Sequence, residues 1–221
     1  MIKHEKTEVL NMDNAIRGMR NPMQSWDKSD SEWMLVGDMG HMNMIEELKF
    51  VIGPNDMKLA RTLVKAGSDE RKFLRQIFVS VDITAPLYWW KEYDTYKVAT
   101  VANSTSTMHK IHAKPFCRED FSCERMSERA LTTLDSVILQ LEYSRLRFNE
   151  TKDKRYWDDM IQLLPTSFNQ MRTCTLNYEN LIGQYHARKN HKLQEWRDYC
   201  KWVEALPYFR EICLLSGDVE E

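Results

Sequence analysis

The chain has 221 residues, with 31 Lys+Arg against 33 Asp+Glu and a formal net charge of −2. No basic excess marks a duplex-binding or membrane-surface protein. Glycine is 7 of 221 residues, roughly 3% against about 7% in average usage, and proline only 6, a scarcity of turn formers that predicts long helices.

With 43% hydrophobic and 29% charged residues, residues 1–221 read as one α+β domain, a small sheet packed with long helices around a sizeable core. No uninterrupted apolar stretch approaches the ~20 residues of a bilayer span. Lys3, His4, Glu5 and Lys6 leave no room for the apolar centre of a signal peptide, so the expectation is a cytoplasmic protein. Cys117, Cys123, Cys174, Cys200 and Cys213 are scattered and form no CxxC pair, which predicts reduced and mostly buried thiols.

A short helix is predicted over Met12 to Met19, followed by an irregular, partly extended stretch from Asn21 to Glu32. Asn55 and Asp56 after Pro54 can cap a helix carrying Leu59, Leu63, Val64 and Ala66 on one side until Gly67 ends it. Ser68 or Asp69 starts a short charged helix through Arg75. The alternation from Ile77 to Ile83 marks the clearest strand, broken by Ala85-Pro86, and Leu87 to Tyr93 continues as a short aromatic helix. Tyr96 to Val101 reads as another strand, with the hydroxyl-rich Asn103-Ser104-Thr105-Ser106-Thr107 after it.

Beyond Ser122 the pattern is helical. From Ser127, the residues Leu131, Leu134, Val137, Ile138, Leu141 and Leu146 trace an amphipathic stripe of about 20 residues, roughly 30 Å long. Lys152 to Lys154 break it, Tyr156 to Leu164 form a short helix, and Pro165 stops it. Phe168 to Ala187 and His191 to Leu206 are the remaining predicted helices, the last ended by Pro207.

Chemistry-bearing motifs are few. His109 with His112, and His186 with His191, lack the carboxylate or cysteine company of a metal site, so no metal is expected. There is no GxSxG, GxGxxG or Walker sequence, so a bound nucleotide would be held by side chains. The segment from Trp89 to His109 interleaves Trp89, Trp90, Tyr93 and Tyr96 with Lys91, Glu92, Asp94 and Lys97. Such a run is either an aromatic core strip or a surface that stacks on rings and addresses phosphates.

Here the chain resembles the flavin-dependent thymidylate synthases. In that family a proline after a strand leads into an aromatic helix, an Arg-His-Arg signature and a polar run. From Pro86, the signature falls on Thr95-Tyr96-Lys97, the glutamine ahead of it on Glu92, and the polar run on Asn103 to Thr107. Only Lys97 keeps the signature's charge. Leu164-Pro165, Asn177, Arg188 and Gln194-Glu195 match later landmarks, and Asn14-Ala15-Ile16-Arg17 with Gln24-Ser25-Trp26 match an early helix and Ser-Trp. The family's Gly-His is matched literally by Gly40-His41, with Glu46 following, and by spacing at Gly67-Ser68, the preferred alignment.

The resemblance implies a homotetramer that binds FAD and a deoxyuridine monophosphate-type nucleotide, with methylenetetrahydrofolate as carbon donor and NADPH regenerating reduced flavin. No protein nucleophile is then needed. It assigns Arg188, Glu92, Asn103, Ser104 and Thr105 to the substrate, and Thr95, Tyr96, Lys97 and Asn177 to the flavin. It also places Ile161 and Glu179 where the family has arginines, so compensating cations are sought at Lys91, Arg172 or Lys110. The alternative is a non-catalytic scaffold protein, and a third reading is a helical interaction module unrelated to nucleotides.

Overall fold

The computed structural model describes residues 1–37 and 46–214; Gly40-His41 lies outside them, as does the side chain of Glu46. The strands are β1 (Lys3–Leu10), β2 (Glu32–Gly37), β3 (Glu46–Val51), β4 (Phe78–Pro86), β5 (Val101–Ser104) and β6 (Asn169–Asn177). The helices are α1 (Met12–Gly18), α2 (Pro54–Ala66), α3 (Leu87–Tyr93), α4 (Glu128–Thr151), α5 (Lys154–Leu163), α6 (Tyr178–Arg188), α7 (Gln194–Glu204) and α8 (Phe209–Cys213). Four strands join in the order β1-β4-β6-β5, while β2 and β3 form an antiparallel pair with Trp33 opposite Phe50 and Leu35 opposite Leu48. The fold class is therefore α+β, as the composition implied.

The chain folds into two units, each assembled from separate stretches of sequence. The first comprises Met1–Lys6, Val81–Cys174 and Lys192–Asp198; the second comprises the described residues of Thr7–Ser80, Thr175–His191 and Tyr199–Glu221. In the first, α4 begins where the Ser127 hydroxyl accepts the Ala130 N–H and ends at Lys152, whose φ of 57° turns the chain out of the helix. Asp153 then caps α5 by accepting the Arg155 N–H at 3.0 Å. Leu134, Leu141 and Met160 of this helix pair bury their side chains with Ile111, Phe116 and Phe121. The stripe foreseen on α4 is correct along its first half, but Leu146 is exposed. At 24 residues the helix spans about 36 Å.

In the second unit, α2 is capped from a distance. Gly53 is the N-cap, and the Asp30 carboxylate accepts the N–H groups of Asn55 and Asp56 at 2.8 and 3.0 Å. A Cβ on Gly53 would lie 2.2 Å from the Asp30 carbonyl oxygen, so this close approach requires glycine. Asp56, a candidate cap of α2 in the sequence, is instead wholly buried at its side chain. It accepts from Arg20 Nε at 2.6 Å, Ser29 Oγ at 2.7 Å and Ser31 Oγ at 2.6 Å.

Several other elements differ from expectation. The predicted helix Phe168 to Ala187 is a strand followed by a helix. Thr173 and Thr175 favour extended backbone, Cys174 and Leu176 alternate into the interior, and Asn177 opens α6 through a reciprocal capping box with Asn180. The predicted strand Tyr96 to Val101 is a turn: Thr95 and Tyr96 N–H groups still bond back to Glu92 and Tyr93 carbonyls, and Ala99 adopts φ 55°. The strand there starts at Val101 and absorbs Asn103 and Ser104. Ser68 to Arg75 is a turn leading into a 3-10 segment at Lys72–Gln76. β1, β2, β3 and α8 go beyond the elements that the sequence predicts. Among the described residues no helix is long and apolar enough to cross a membrane.

Burial alone would push the Asp56 carboxyl up, but hydrogen bonds from Ser31, Ser29 and Arg20, with the Arg20 charge, hold it below the usual carboxylate range. A carboxyl held down by folding contributes stability above that range and loses it as pH falls through the folded pKa. Asp56→Asn should lower stability by about 3–5 kcal/mol near neutral pH, since it leaves Arg20 buried without its counter-charge. It should also flatten the acid limb of stability against pH. Urea unfolding at a series of pH values checks both.

Candidate functional site

The first unit concentrates the chemistry around α3. Its period places Trp89, Trp90 and Tyr93 inward, where Trp89 stacks on Tyr93 at 5.0 Å and meets Trp196 at 4.6 Å. The Trp90 indole N–H donates to the Gln170 carbonyl at 2.9 Å, and the Arg172 guanidinium lies 4.2 Å from the Trp90 ring centre. Arg172 also donates from Nε to Gln170 Oε1 at 3.0 Å and from Nη1 to Asp94 at 2.7 Å. Gln170 Nε2 donates in turn to the Thr105 carbonyl at 2.7 Å. A continuous network therefore joins α3, β6 and the loop after β5.

Thr105 is fixed further by its own N–H and hydroxyl, both donating to the Met171 carbonyl at 2.9 and 3.1 Å. It stands at the wall of a cavity of about 530 Å³ that continues through Ser106, Thr107 and Lys110 to Phe116 and Phe168. Asn103 and Ser104 precede it, exposed on β5. These three candidate substrate residues are thus brought together, and Thr105 retains only its acceptor capacity.

Glu92, the fourth, faces Trp196: its carboxylate accepts the indole N–H at 2.7 Å, a role for an acid that satisfies a buried donor. Thr95 donates its hydroxyl to the Glu92 carbonyl at 2.7 Å. Tyr96 is half-buried with its ring edge-on to Trp196 at 6.1 Å, and Lys97 is exposed beside it. The Gln194-Glu195 pair is also used internally. Tyr88 donates its hydroxyl to the buried Glu195 carboxylate at 2.7 Å, and burial followed by that carboxylate pushes the Tyr88 phenol up.

The second unit carries Asn177 and Arg188, at the two ends of α6. Asn177 is buried, and its side-chain oxygen caps α6 by accepting the Asn180 N–H at 2.9 Å. That oxygen is occupied by the helix, which weighs against the flavin-facing role expected of this amide. Glu179, where the resemblance places an arginine, forms a two-pronged ion pair with Arg71 at 2.9 and 3.0 Å. Arg188 is the half-buried last residue of α6.

Burial pushes the Cys174 thiol up to about 11 and the Cys200 thiol up to about 12, which leaves both protonated and poor nucleophiles at neutral pH. Among the described residues no three His, Cys, Asp or Glu side chains converge as a metal site. Sequence reasoning misses the parts played by Gln170 and Asp94. Gln170 is masked by the helix assigned to β6 and Asp94 by the charge run around it.

This architecture is shared with solved structures, among them the following two. Thymidylate synthase X (ThyX) from Helicobacter pylori with FAD and dUMP has a TM-score of 0.67 and 16% sequence identity, covering 99% of this chain and 99% of that chain. A second structure of flavin-dependent thymidylate synthase ThyX from Helicobacter pylori, complexed with FAD and dUMP, has a TM-score of 0.65 and 16% identity, covering 96% and 97%. No family model matches the chain, and no curated protein matches it by sequence. At this identity the likeness establishes the fold: this chain has the fold of those flavin-dependent thymidylate synthases over nearly its whole length.

Replacing Glu92 by Leu removes the acceptor of a buried indole and should cost about 1–3 kcal/mol of stability. Glu92→Gln keeps an acceptor oxygen and should cost less than about half as much. Denaturant unfolding of both variants, followed by tryptophan fluorescence, checks the ordering.

Proposed function

We propose that this protein is a divergent flavin-dependent thymidylate synthase-like enzyme. It would transfer a one-carbon unit from methylenetetrahydrofolate to C5 of a deoxyuridine monophosphate-type nucleotide, as a cytoplasmic homotetramer built from single-domain chains. The observation that carries this reading is the shared fold over 99% of both chains.

The residues fit FAD in part: Tyr96 offers a half-buried ring beside the exposed cation Lys97, a combination suited to a ring system that carries phosphates. Bound FAD would supply hydride chemistry, with NADPH returning it to the reduced state. In this reading Lys97 holds a phosphate as a point charge, and Asn103, Ser104 and Thr105 address the nucleotide. Arg188 clamps its phosphate or pyrimidine edge through its planar fork. Glu92 acts on substrate through position, by holding Trp196 edge to face with Tyr96.

A second reading, a non-catalytic scaffold member, is favoured by one set of observations. Asn177 is occupied as a helix cap, Glu179 is paired with Arg71, and Ile161 packs against the α4–α5 core.

Purified protein should show a flavin absorption band, or acquire one on adding FAD, and should bind dUMP by calorimetry. Arg188→Ala should weaken dUMP binding by about tenfold or more, the scale of one lost charge-assisted hydrogen bond. A colourless protein that takes up no FAD would remove the flavoenzyme reading. Uptake of FAD and dUMP without one-carbon transfer would favour the scaffold reading.

A further inference from the structure

The cavity after Thr105 lies within the first unit and has a divided chemistry. Its apolar side is made by Ile111, Phe116 and Phe168, the two phenylalanine rings meeting edge to face at 6.5 Å. Its polar side carries Ser106, Thr107, Lys110 and Lys114. Ser106 Oγ accepts the His109 N–H at 2.9 Å and keeps its own proton to donate. The two lysines are exposed at the rim, and among the described residues neither has a carboxylate within salt-bridge distance. The carboxylate on the wall, Asp120, is occupied: it accepts the Cys117 N–H at 2.9 Å and faces its thiol at 3.3 Å.

A pocket of about 530 Å³ falls within the range of about 300–1,000 Å³ in which small ligands bind. Two such cations and a donor hydroxyl at one side, with aromatic edges at the other, match a ligand carrying a phosphate at one end and a planar ring at the other. The volume suits a mononucleotide.

We propose that this cavity seats the nucleotide as a phosphomonoester, with Lys110 and Lys114 neutralising the phosphate, Ser106 donating to it, and the ring lying against Phe116 and Phe168. This deepens the nucleotide-binding reading and rests on it. It also supplies cations to compensate for Ile161 and Glu179, which stand where the resemblance has arginines. Lysines give a point charge without a fixed fork, so the site selects for phosphate charge and depends on the apolar side for orientation.

The test is calorimetric titration of the full-length protein with dUMP, with deoxyuridine and with phenyl phosphate, alongside FAD uptake. Wild type should bind dUMP and phenyl phosphate more weakly as salt rises, and should bind deoxyuridine at least tenfold less tightly than dUMP. Lys110→Ala/Lys114→Ala should lose at least tenfold in affinity for dUMP and phenyl phosphate while FAD uptake is unchanged. Lys110→Arg/Lys114→Arg should restore it, which separates lost charge from misfolding. Unchanged dUMP affinity in the alanine pair would overturn the proposal while leaving the nucleotide-binding reading intact. Lysine-dependent binding of phenyl phosphate without dUMP or FAD binding would keep an anion-and-ring pocket but end the thymidylate synthase-like reading. Failure of wild type to bind any of the ligands would end both.

Discussion

The position of Arg172 governs the arrangement of the first unit's chemistry. A guanidinium 16% exposed, 4.2 Å over Trp90 and bonded to both Asp94 and Gln170, gives cation–π attraction and charge-assisted hydrogen bonding in one place. Each such contact contributes on the order of 1–2 kcal/mol when desolvated. Its consequence is geometric. Gln170, oriented by Arg172 at one end, donates to Thr105 at the other, so the loop that opens the cavity is set by a side chain on β6. Arg172, sought from the sequence as a compensating cation, is thereby committed to structure and has little charge left for a ligand.

The same exchange recurs where the resemblance expects ligand-facing groups. Glu92 satisfies an indole, Asn177 caps a helix, and Glu179 balances Arg71. In each case a side chain that could meet a ligand is instead bonded within the chain. Buried polar groups are costly unless paired, and these three pairings meet that need within the chain. In the proposed reading the exposed cations Lys97, Lys110 and Lys114 join Arg188 in meeting an anion.

Legibility in the sequence follows the strength of local signals. β4 and α3 are readable because Val79, Val81, Ile83 and Ala85 alternate into the interior and Pro86 fixes the boundary. α4 is readable from its stripe and from the Ser127 cap. β1 is not, because Lys-His-Glu-Lys-Thr-Glu has no apolar alternation and owes its extension to pairing within the sheet. β2 carries exposed apolar residues in an unbroken run from Trp33 to Val36, so no period marks it. β6 reads as helix because Met171, Cys174, Tyr178, Leu181 and Tyr185 recur at three- and four-residue intervals that run on into α6. The Asn177–Asn180 box that separates strand from helix makes reciprocal bonds that depend on the folded backbone. Within the candidate site, composition foretells the hydroxyls and aromatics but not the partners that occupy them.

That distinction between identity and occupation explains why a shared architecture coexists with 16% identity. Backbone course here is fixed by features that many sequences can supply: alternation in β4, caps on α4, α5 and α6, and an aromatic helix leaving a proline. Ligand charge is more exacting, because it requires cations that the folded chain does not itself neutralise. Arg20 and Arg71 are structural, each held by a carboxylate, and Arg172 is held by Asp94. A fold can persist while an anion site exchanges rigid arginine forks for flexible lysines, the exchange proposed here for Lys110 and Lys114. Such a change alters which ligand geometry is recognised more than it alters the scaffold.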